Sequence, residues 1–408
     1  MFKEGRTDKI LTFWRKLIPV SLFKFAQPFY HWGLAWVGAI LYGFPSSDIK
    51  VIGVTGTKGK STTVYIISKI FEEAGIPVAA IGSLGFKIKE KEWPNTLKMT
   101  MPGRFKLQKF LKQAKDAGVK YVILEVTSEG IKQKRHLGIR FDSAILTGIH
   151  KEHIESHGSF EKYIEAKKKL FHKTKNIHIL NADDKFVGEF KKIKSKKKIY
   201  YEMADWVKWG INTELKGGFN KSNILAAATV AQTYGIEKEI IEKAIEKIKS
   251  VPGRMEFIDV GQLFKVVVDY AHTPDSLEQV YKTLRQELPE GGKLICVLGA
   301  AGGGRDKWKR AEFGKIADRF CDKVILTNED PYDEDPESII NDIAQGIKEK
   351  EYFKIIDRSE AIKEAVTNAY KGDIVAITGK GSENSIATAG GKKIPWSERE
   401  VVMDYLKK

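Results

Sequence analysis

Lys60, followed by Ser61 and Thr62 and preceded by Gly56-Thr57-Lys58-Gly59, is where this sequence concentrates its chemistry. Just upstream, Ile49, Val51 and Ile52 make a short apolar run bounded by Gly53 and Gly56, which predicts a buried strand. Downstream, Ile66, Ile67, Ile70 and Phe71 recur at helical spacing. A glycine turn between a strand and a helix N-terminus gathers backbone N–H groups around one point, and the helix dipole favours negative charge there. Such a turn binds phosphate: Lys60 reaches the β- and γ-phosphates, and the hydroxyl of Ser61 or Thr62 meets a metal ion. The spacing departs from the common G-x-x-x-x-G-K-[ST], because Val54 stands where the first glycine would be.

Three further residues have types suited to work beside a triphosphate. Glu125 lies near the C-terminal end of the apolar run Tyr121–Val126, in LEVTSEG. Ligands of open α/β sheets bind outside the carboxyl ends of the strands, so a carboxylate there is placed to hold Mg²⁺. The run Ser143–Leu146 leads into GIHKEHIESHG, with His150, His153 and His157. Zinc is discounted, since no cysteine set and no HExxH accompany them; one histidine touching Mg²⁺ or substrate is the sharper expectation. The stretch Ser159–His172 then predicts a helix with Ser159 as N-cap and Glu161 in its first turn. Its apolar stripe is Phe160, Tyr163/Ile164 and Leu170/Phe171, and Lys167 falls inside it. Such a lysine either snorkels to water or changes its charge state; reaction with carbon dioxide would turn the cation into an anionic carbamate ligand.

The elements that must position these residues follow an α/β order. From Lys50 to about Ser250 strands and helices alternate, including Val78–Ile81 and a helix near Phe105–Ala117, as a mainly parallel sheet covered on both faces requires. A second unit begins around Val251-Pro252-Gly253, with strands at Phe264–Val268, Leu294–Leu298, Val324–Thr327 and Ile374–Thr378. This predicts a second, Rossmann-like doubly wound domain. The expected division is therefore a short aromatic segment over 1–48, a central P-loop domain over 49–250 and a C-terminal domain over 251–408. With 408 residues, 42% hydrophobic and 30% charged, the chain is long enough for each domain to have its own core. Lysines scattered on helix faces supply most of the net charge of +16, with a dense run at Lys191–Lys198 read as solvated surface. A positive field attracts an anionic substrate, and no nucleic-acid-reading module is present. Cys296 and Cys321 form no recognisable pair, which suits a reducing cytosol. Between Phe25 and Ser47 there is no charged residue, and Trp32, Trp36, Phe29, Tyr30 and Tyr42 lie there. Its length qualifies as a membrane-span candidate, but Pro28, His31, Gln27 and the glycines lower its hydrophobicity. Two readings stand: a helix packed against the next domain, or membrane-surface contact through residues 10–45, helped by Arg15, Lys16 and Lys24.

GTKGKST, LEVTSEG, HKEHIESHG, YIEAKKKLF, GGFNKSN, VPGRME, VDYAHTPDSLE and TGKGSE occur in the order found in Mur ligases. The sequence most resembles the branch that adds the third peptide residue, the UDP-N-acetylmuramoyl-tripeptide synthetases, from about residue 50 to the C-terminus. The resemblance implies that Glu125 and His153 hold Mg²⁺ and that Lys167 carries the family's carbamate, with two ions in all. It implies that Asn220 and Asn223 contact the nucleotide base, that Asp269, His272 and Arg305 reach ATP, and that Arg254 sits at an interdomain hinge whose closure completes the site. It assigns Gly379 and Glu383 to the incoming amino acid. The implied activity is ATP-dependent amide ligation through an acyl phosphate, in peptidoglycan biosynthesis in the cytoplasm or at the inner face of the membrane. The acceptor is a muramyl dipeptide precursor, UDP-linked or lipid-linked. The resemblance does not identify the general base.

Two departures stand out. Fewer than fifty residues precede the phosphate loop, where family members carry a full uridine-diphosphate-holding domain. Diaminopimelate-adding members resemble Asp-Asn-Pro-Arg where this chain has Glu329-Asp330-Pro331-Tyr332. Without that arginine, and with the negative charge of Glu329, Asp330 and Glu383, the expected amino acid is dibasic, lysine rather than diaminopimelate. The rival readings are a folylpolyglutamate-type ligase and a nucleotide-binding scaffold without activity.

Overall fold

Apolar, β-branched runs pair in parallel around the phosphate loop. Strand β1 (Lys50–Thr55) lies between β5 (Tyr121–Glu125) and β6 (Phe141–Leu146), with Val54 opposite Glu125 and Thr55 opposite Leu146. Three strands therefore end side by side, which is how residues far apart in sequence reach one edge. In the computed structural model the described residues are 20–97, 99–150, 157–304 and 306–407, with side chains from Gln27 onward except Pro28.

The chain divides into two units, one running up to Thr213 and adding Gly218–Ile248, the other holding Glu214–Gly217 and Lys249 onward. The first has an eight-stranded sheet in the order β4-β3-β2-β5-β1-β6-β7-β8. It adds β2 (Val78–Gly82), β3 (Gly85–Ile88), β4 (Lys91–Trp93), β7 (Ile177–Asn181) and β8 (Lys197–Tyr201). Only the β2–β3 and β3–β4 pairings are antiparallel. The lysine run reaches the edge strand β8, where exposed cations discourage pairing with another chain.

Helix α1 (Val20–Leu41) precedes the sheet. Helices α2 (Lys60–Glu73), α3 (Arg104–Asp116), α4 (Ser128–Lys132), α5 (Phe160–Lys173) and α6 (Gly218–Thr233) cover it. Helix α5 begins as its sequence demands: Ser159 Oγ accepts the Lys162 N–H at 3.2 Å. Its buried face is Tyr163, Ile164, Ala166, Lys167, Leu170 and Phe171. Gly53 makes that packing possible, because a Cβ there would stand 2.9 Å from the Phe141 ring.

The second unit has a six-stranded sheet, β13-β12-β11-β14-β10-β9. Its strands are β9 (Glu256–Ile258), β10 (Lys265–Asp269), β11 (Leu294–Leu298), β12 (Lys323–Leu326), β13 (Tyr352–Lys354) and β14 (Ile374–Thr378), with only β9 antiparallel among them. A hairpin of β15 (Ser385–Ala387) and β16 (Lys393–Pro395) follows. Helices α7 (Pro274–Glu287), α8 (Trp308–Phe320) and α9 (Arg358–Thr367) alternate with the strands.

The cysteine reading is corrected here. Cys296 in β11 and Cys321 just after α8 are joined in a disulfide, their Cα atoms 6.1 Å apart. The β–α–β turn brings them together across 25 residues, a spacing that carries no pairing signal in sequence. They therefore give no argument for a reducing compartment. Among the described residues, no helix is long and apolar enough to cross a membrane.

Helix α8 crosses the helix Pro336–Ala344 at glycine: a Cβ on Gly314 would lie 2.0 Å from the Ile343 carbonyl oxygen. Gly314→Ala is expected to cost about 1–3 kcal/mol in urea denaturation. An unchanged midpoint would contradict this packing.

Candidate active site

The phosphate loop is held at its turns by neighbours that leave no room for side chains. Gly56 lies against the loop after β6; a Cβ there would meet Thr147 Oγ1 at 2.0 Å. Gly59 has φ +79° and would meet Asn223 Oδ1 at 2.2 Å. Thr147 Oγ1 donates to the Lys58 carbonyl at 2.6 Å, and the Thr57 N–H donates to the Gly148 carbonyl at 2.7 Å. Thr57 Oγ1 accepts the His150 N–H at 2.9 Å and shares a hydrogen bond with Tyr163 Oη at 2.8 Å. Lys60 opens α2 and turns back to donate to the Thr57 carbonyl at 2.8 Å. Asn223, buried in α6, thus stands beside the loop at Gly59, and Asn220 lies one turn away on the same helix, its Oδ1 3.4 Å from the Asn223 amide nitrogen.

Glu125 is 2% exposed. It accepts hydrogen bonds from Ser61 Oγ at 3.1 Å, the Ser83 N–H at 2.9 Å and Ser83 Oγ at 3.0 Å. Its described partners are all neutral. A buried carboxylate held only by neutral donors calls for a cation, and two hard oxygens side by side suit magnesium. Ser61, rather than Thr62, is the hydroxyl beside Glu125. Among the described residues no cluster of three or more His, Cys, Asp or Glu forms a metal site. His153 lies outside the described residues, as does Arg305.

Lys167 does not snorkel. At 1% exposure its Nζ donates to the Gly56 carbonyl at 2.6 Å and sits 4.6 Å from the centre of the Tyr163 ring. One amine thus reaches the loop's first turn from a helix more than a hundred residues on. Of the other histidines, His150 meets the loop through its backbone, whereas His157 Nε2 lies 3.3 Å from Glu129 Oε1. Two positioning residues had not been singled out from sequence. Asp184 accepts the Ile149 and Phe186 N–H groups at 2.6 and 2.8 Å, and Asn181 donates to the Thr147 carbonyl at 2.9 Å. Their signal was the polar cluster Asn181-Ala182-Asp183-Asp184 at a strand end.

Also missed was a cationic cluster in this unit. Arg104 donates to the Gln133 carbonyl, and Arg135 donates to the Gln133 side chain at 2.7 Å, so both guanidiniums gather on one residue. Both Nε atoms are buried and unpartnered, as are both ring nitrogens of His31. Burial, then Arg104 and Arg135, pushes the His31 imidazole down to about 4, and burial, then Arg135, takes Arg104 down to about 10. Such a cluster suits an anionic ligand.

In the second unit, VPGR, VDYAHTP and TGKGSE converge. Gly253 has φ +61°, and a Cβ there would lie 2.1 Å from the Ser382 nitrogen. Asp269 is taken up by backbone, accepting the Met255 and Ala271 N–H groups at 2.6 and 2.7 Å; burial raises its carboxyl. It fastens the turn at 253–255 to the end of β10. Arg254 stacks on Tyr270, 4.2 Å from the ring centre, and His272 Nδ1 meets the Tyr270 carbonyl at 2.9 Å.

The residues expected to hold the amino acid gather around one that was not foreseen. Lys380 is fully buried and donates to Asp330 at 3.0 Å and to Glu383, whose other oxygen accepts from Tyr270 Oη at 3.3 Å. Burial alone would lower the Lys380 ammonium, but Glu383, Asp330 and Glu329 hold it above its ordinary value. Burial raises the Glu329 carboxyl against the pull of Lys380 and Arg358. Gly379 passes so close that a Cβ would meet Glu329 Oε2 at 2.6 Å, and Tyr332, at φ +53°, faces Gly303. Arg358, ion-paired to Glu398, donates to the Asn328 and Thr378 carbonyls at 3.1 and 2.8 Å, tying the ends of β12 and β14 together.

A glycine turn leading into a helix, a buried carboxylate beside it and a second doubly wound unit define a two-unit nucleotide-binding α/β protein. The Mur ligase middle domain matches residues 54–209, and the Mur ligase glutamate ligase domain matches residues 253–381. A UDP-N-acetylmuramoyl-L-alanyl-D-glutamate–2,6-diaminopimelate ligase of Aquifex aeolicus is 37% identical, with 90% of this chain and 79% of that protein covered. A solved structure of a ligase with the same name is 30% identical at a TM-score of 0.60, covering 88% of this chain and 78% of that one. A folylpolyglutamate synthase of Mycobacterium tuberculosis, complexed with ADP and AMPPCP, shares the fold at a TM-score of 0.66. It is only 15% identical, with 85% of this chain and 92% of that one covered. The chain belongs to the Mur ligase family.

Gly59→Ala is expected to weaken ADP binding at least about tenfold by calorimetry, because a Cβ displaces either Asn223 or the loop. Unchanged affinity would show that the loop does not grip the nucleotide as drawn.

Proposed function

We propose that the chain joins 2,6-diaminopimelate to UDP-N-acetylmuramoyl-L-alanyl-D-glutamate at the cost of ATP, in the cytoplasm. What carries this reading is the likeness to ligases of that name over nine-tenths of the chain. The lysine preference finds no support in those relatives. Its physical basis also weakens, because Lys380 already pairs with two of the three carboxylates invoked for it, Asp330 and Glu383. The nucleotide-linked acceptor is preferred to a lipid-linked one because the relatives are named for it. A folylpolyglutamate activity has only a shared fold behind it.

The acceptor's terminal carboxylate attacks the γ-phosphorus of ATP, and the bond to the β,γ-bridging oxygen breaks to release ADP and an acyl phosphate. The amino group of diaminopimelate then attacks the acyl carbon, phosphate leaves and the amine gives up a proton. Backbone N–H groups of Lys58–Lys60 and the Lys60 ammonium hold the triphosphate in line, while the Thr57 N–H ties the loop to the Gly148 carbonyl; positioning and charge neutralisation do most of the work. Magnesium, when bound, neutralises the phosphoryl oxygens; Ser61 and Glu125 would hold one ion, and His153 with a carbamylated Lys167 a second. Carbamylation of Lys167 would place the anionic group on a buried side chain that reaches the Gly56 carbonyl at the loop's first turn. Asn220, Asn223, Arg254, His272 and Arg305 are assigned to the nucleotide, Asp269 to positioning the 253–255 turn, and Arg104 and Arg135 to anionic groups of the acceptor. Gly379, Glu383 and the Glu329–Tyr332 loop are assigned to the amino acid.

Steady-state ADP release should require acceptor and amino acid together, with kcat/KM for diaminopimelate at least about tenfold above that for lysine. Equal or better turnover of lysine would overturn the amino-acid assignment, and stimulation by folate with glutamate alone would overturn the acceptor. Lys167→Ala should lower kcat at least about 100-fold. In wild type, ¹³C-bicarbonate should give a carbamate resonance that the variant lacks. A parental rate and identical spectra would remove Lys167 from the chemistry.

A further inference from the structure

Helix α1 is packed the wrong way round for a helix that meets only water and its own domain. Such a helix turns its large apolar residues to the core. Here the inner face is small: Ala35, Gly38 and Ala39 are buried, Gly38 beside Phe105 and Gln108 of α3, and Ala39 against Gly138. The outer face carries the large residues, with Trp32 56%, Val37 54%, Ile40 64% and Leu41 67% exposed. Beyond the helix, Phe44 adopts φ 48° and lies 6.4 Å from Trp36, which in turn lies 6.4 Å from Trp32. Aromatic and aliphatic side chains thus form one band along the exposed side.

The sequence leading into this band is basic, and the first acid after it, Asp48, is paired with Lys115. Residues 9–47 include Lys9, Arg15, Lys16 and Lys24 and no acidic residue. At the far end, exposed Arg140 donates its backbone N–H to Ser46 Oγ at 3.0 Å. Tryptophan and aliphatic groups on one helix face, flanked by cations, match the boundary of an anionic bilayer, where rings sit at headgroup level and basic residues meet lipid phosphates. Lying in that plane needs no spanning length.

We infer that helix α1 docks this ligase on an anionic membrane surface through Trp32, Val37, Ile40 and Leu41, with the basic sequence before it adding charge attraction to headgroup phosphates. The inference does not depend on which amino acid the enzyme adds. The test is flotation of the full chain with vesicles of phosphatidylcholine alone or with 30% phosphatidylglycerol added (about 30%, a common anionic fraction). Wild type should float with the anionic vesicles at least about tenfold more than with neutral ones, less so at high salt. Ile40→Glu with Leu41→Glu, and separately Trp32→Ser, should lose most of that binding while keeping the wild-type ligation rate and thermal melting curve. No flotation of wild type, or equal flotation of wild type and variants, would overturn the inference. So would a wild-type dimer that the Glu variants convert to monomer, since the band would then be an interface between copies.

Discussion

The tightness of the turn between β1 and α2 is the constraint on which the rest of the first unit depends. Gly56 and Gly59 have no space for a Cβ because Thr147 and Asn223 already occupy it. Those neighbours come from different elements, and Thr147 is itself held by Asn181, the loop that follows it by Asp184, while Asn223 stands against Asn220. The sheet order makes this possible, since β5, β1 and β6 are adjacent and end level. The outcome is a turn whose backbone is fixed by its neighbours, the condition under which electrostatic stabilisation of a bound group is strongest.

Charge in the two units is handled in opposite ways. In the first, Glu125 is buried among the neutral donors Ser61 and Ser83. In the second, buried charges are matched: Lys380 with Asp330 and Glu383, and Arg358 with Glu398. Paired buried charges fix loop geometry, whereas unpaired ones attract ligands.

Much of the first unit could be read from sequence because its signals are local. The strand–glycine–Lys-Ser–helix order, the N-cap at Ser159 and a lysine inside an apolar stripe each lie within a few turns of chain. What escaped depends on contacts between distant segments. Lys380 reads as an ordinary loop lysine until β14 carries it to Asp330, fifty residues away. Cys296 and Cys321 look unrelated until the β–α–β crossover brings them together. Helix α1 was read either as packed on the next domain or as facing a membrane; its inner face does pack on α3, and which residues remain outside depends on that packing.

The account rests on activation of a carboxylate as an acyl phosphate at the phosphate loop. Its most direct test uses UDP-N-acetylmuramoyl-L-alanyl-D-glutamate labelled with ¹⁸O in the carboxylate that becomes the amide, with mass analysis of the phosphate released during ligation. Transfer of one labelled oxygen to each phosphate is predicted, because the attacking carboxylate oxygen leaves with phosphorus. Unlabelled phosphate formed alongside amide product would contradict the account.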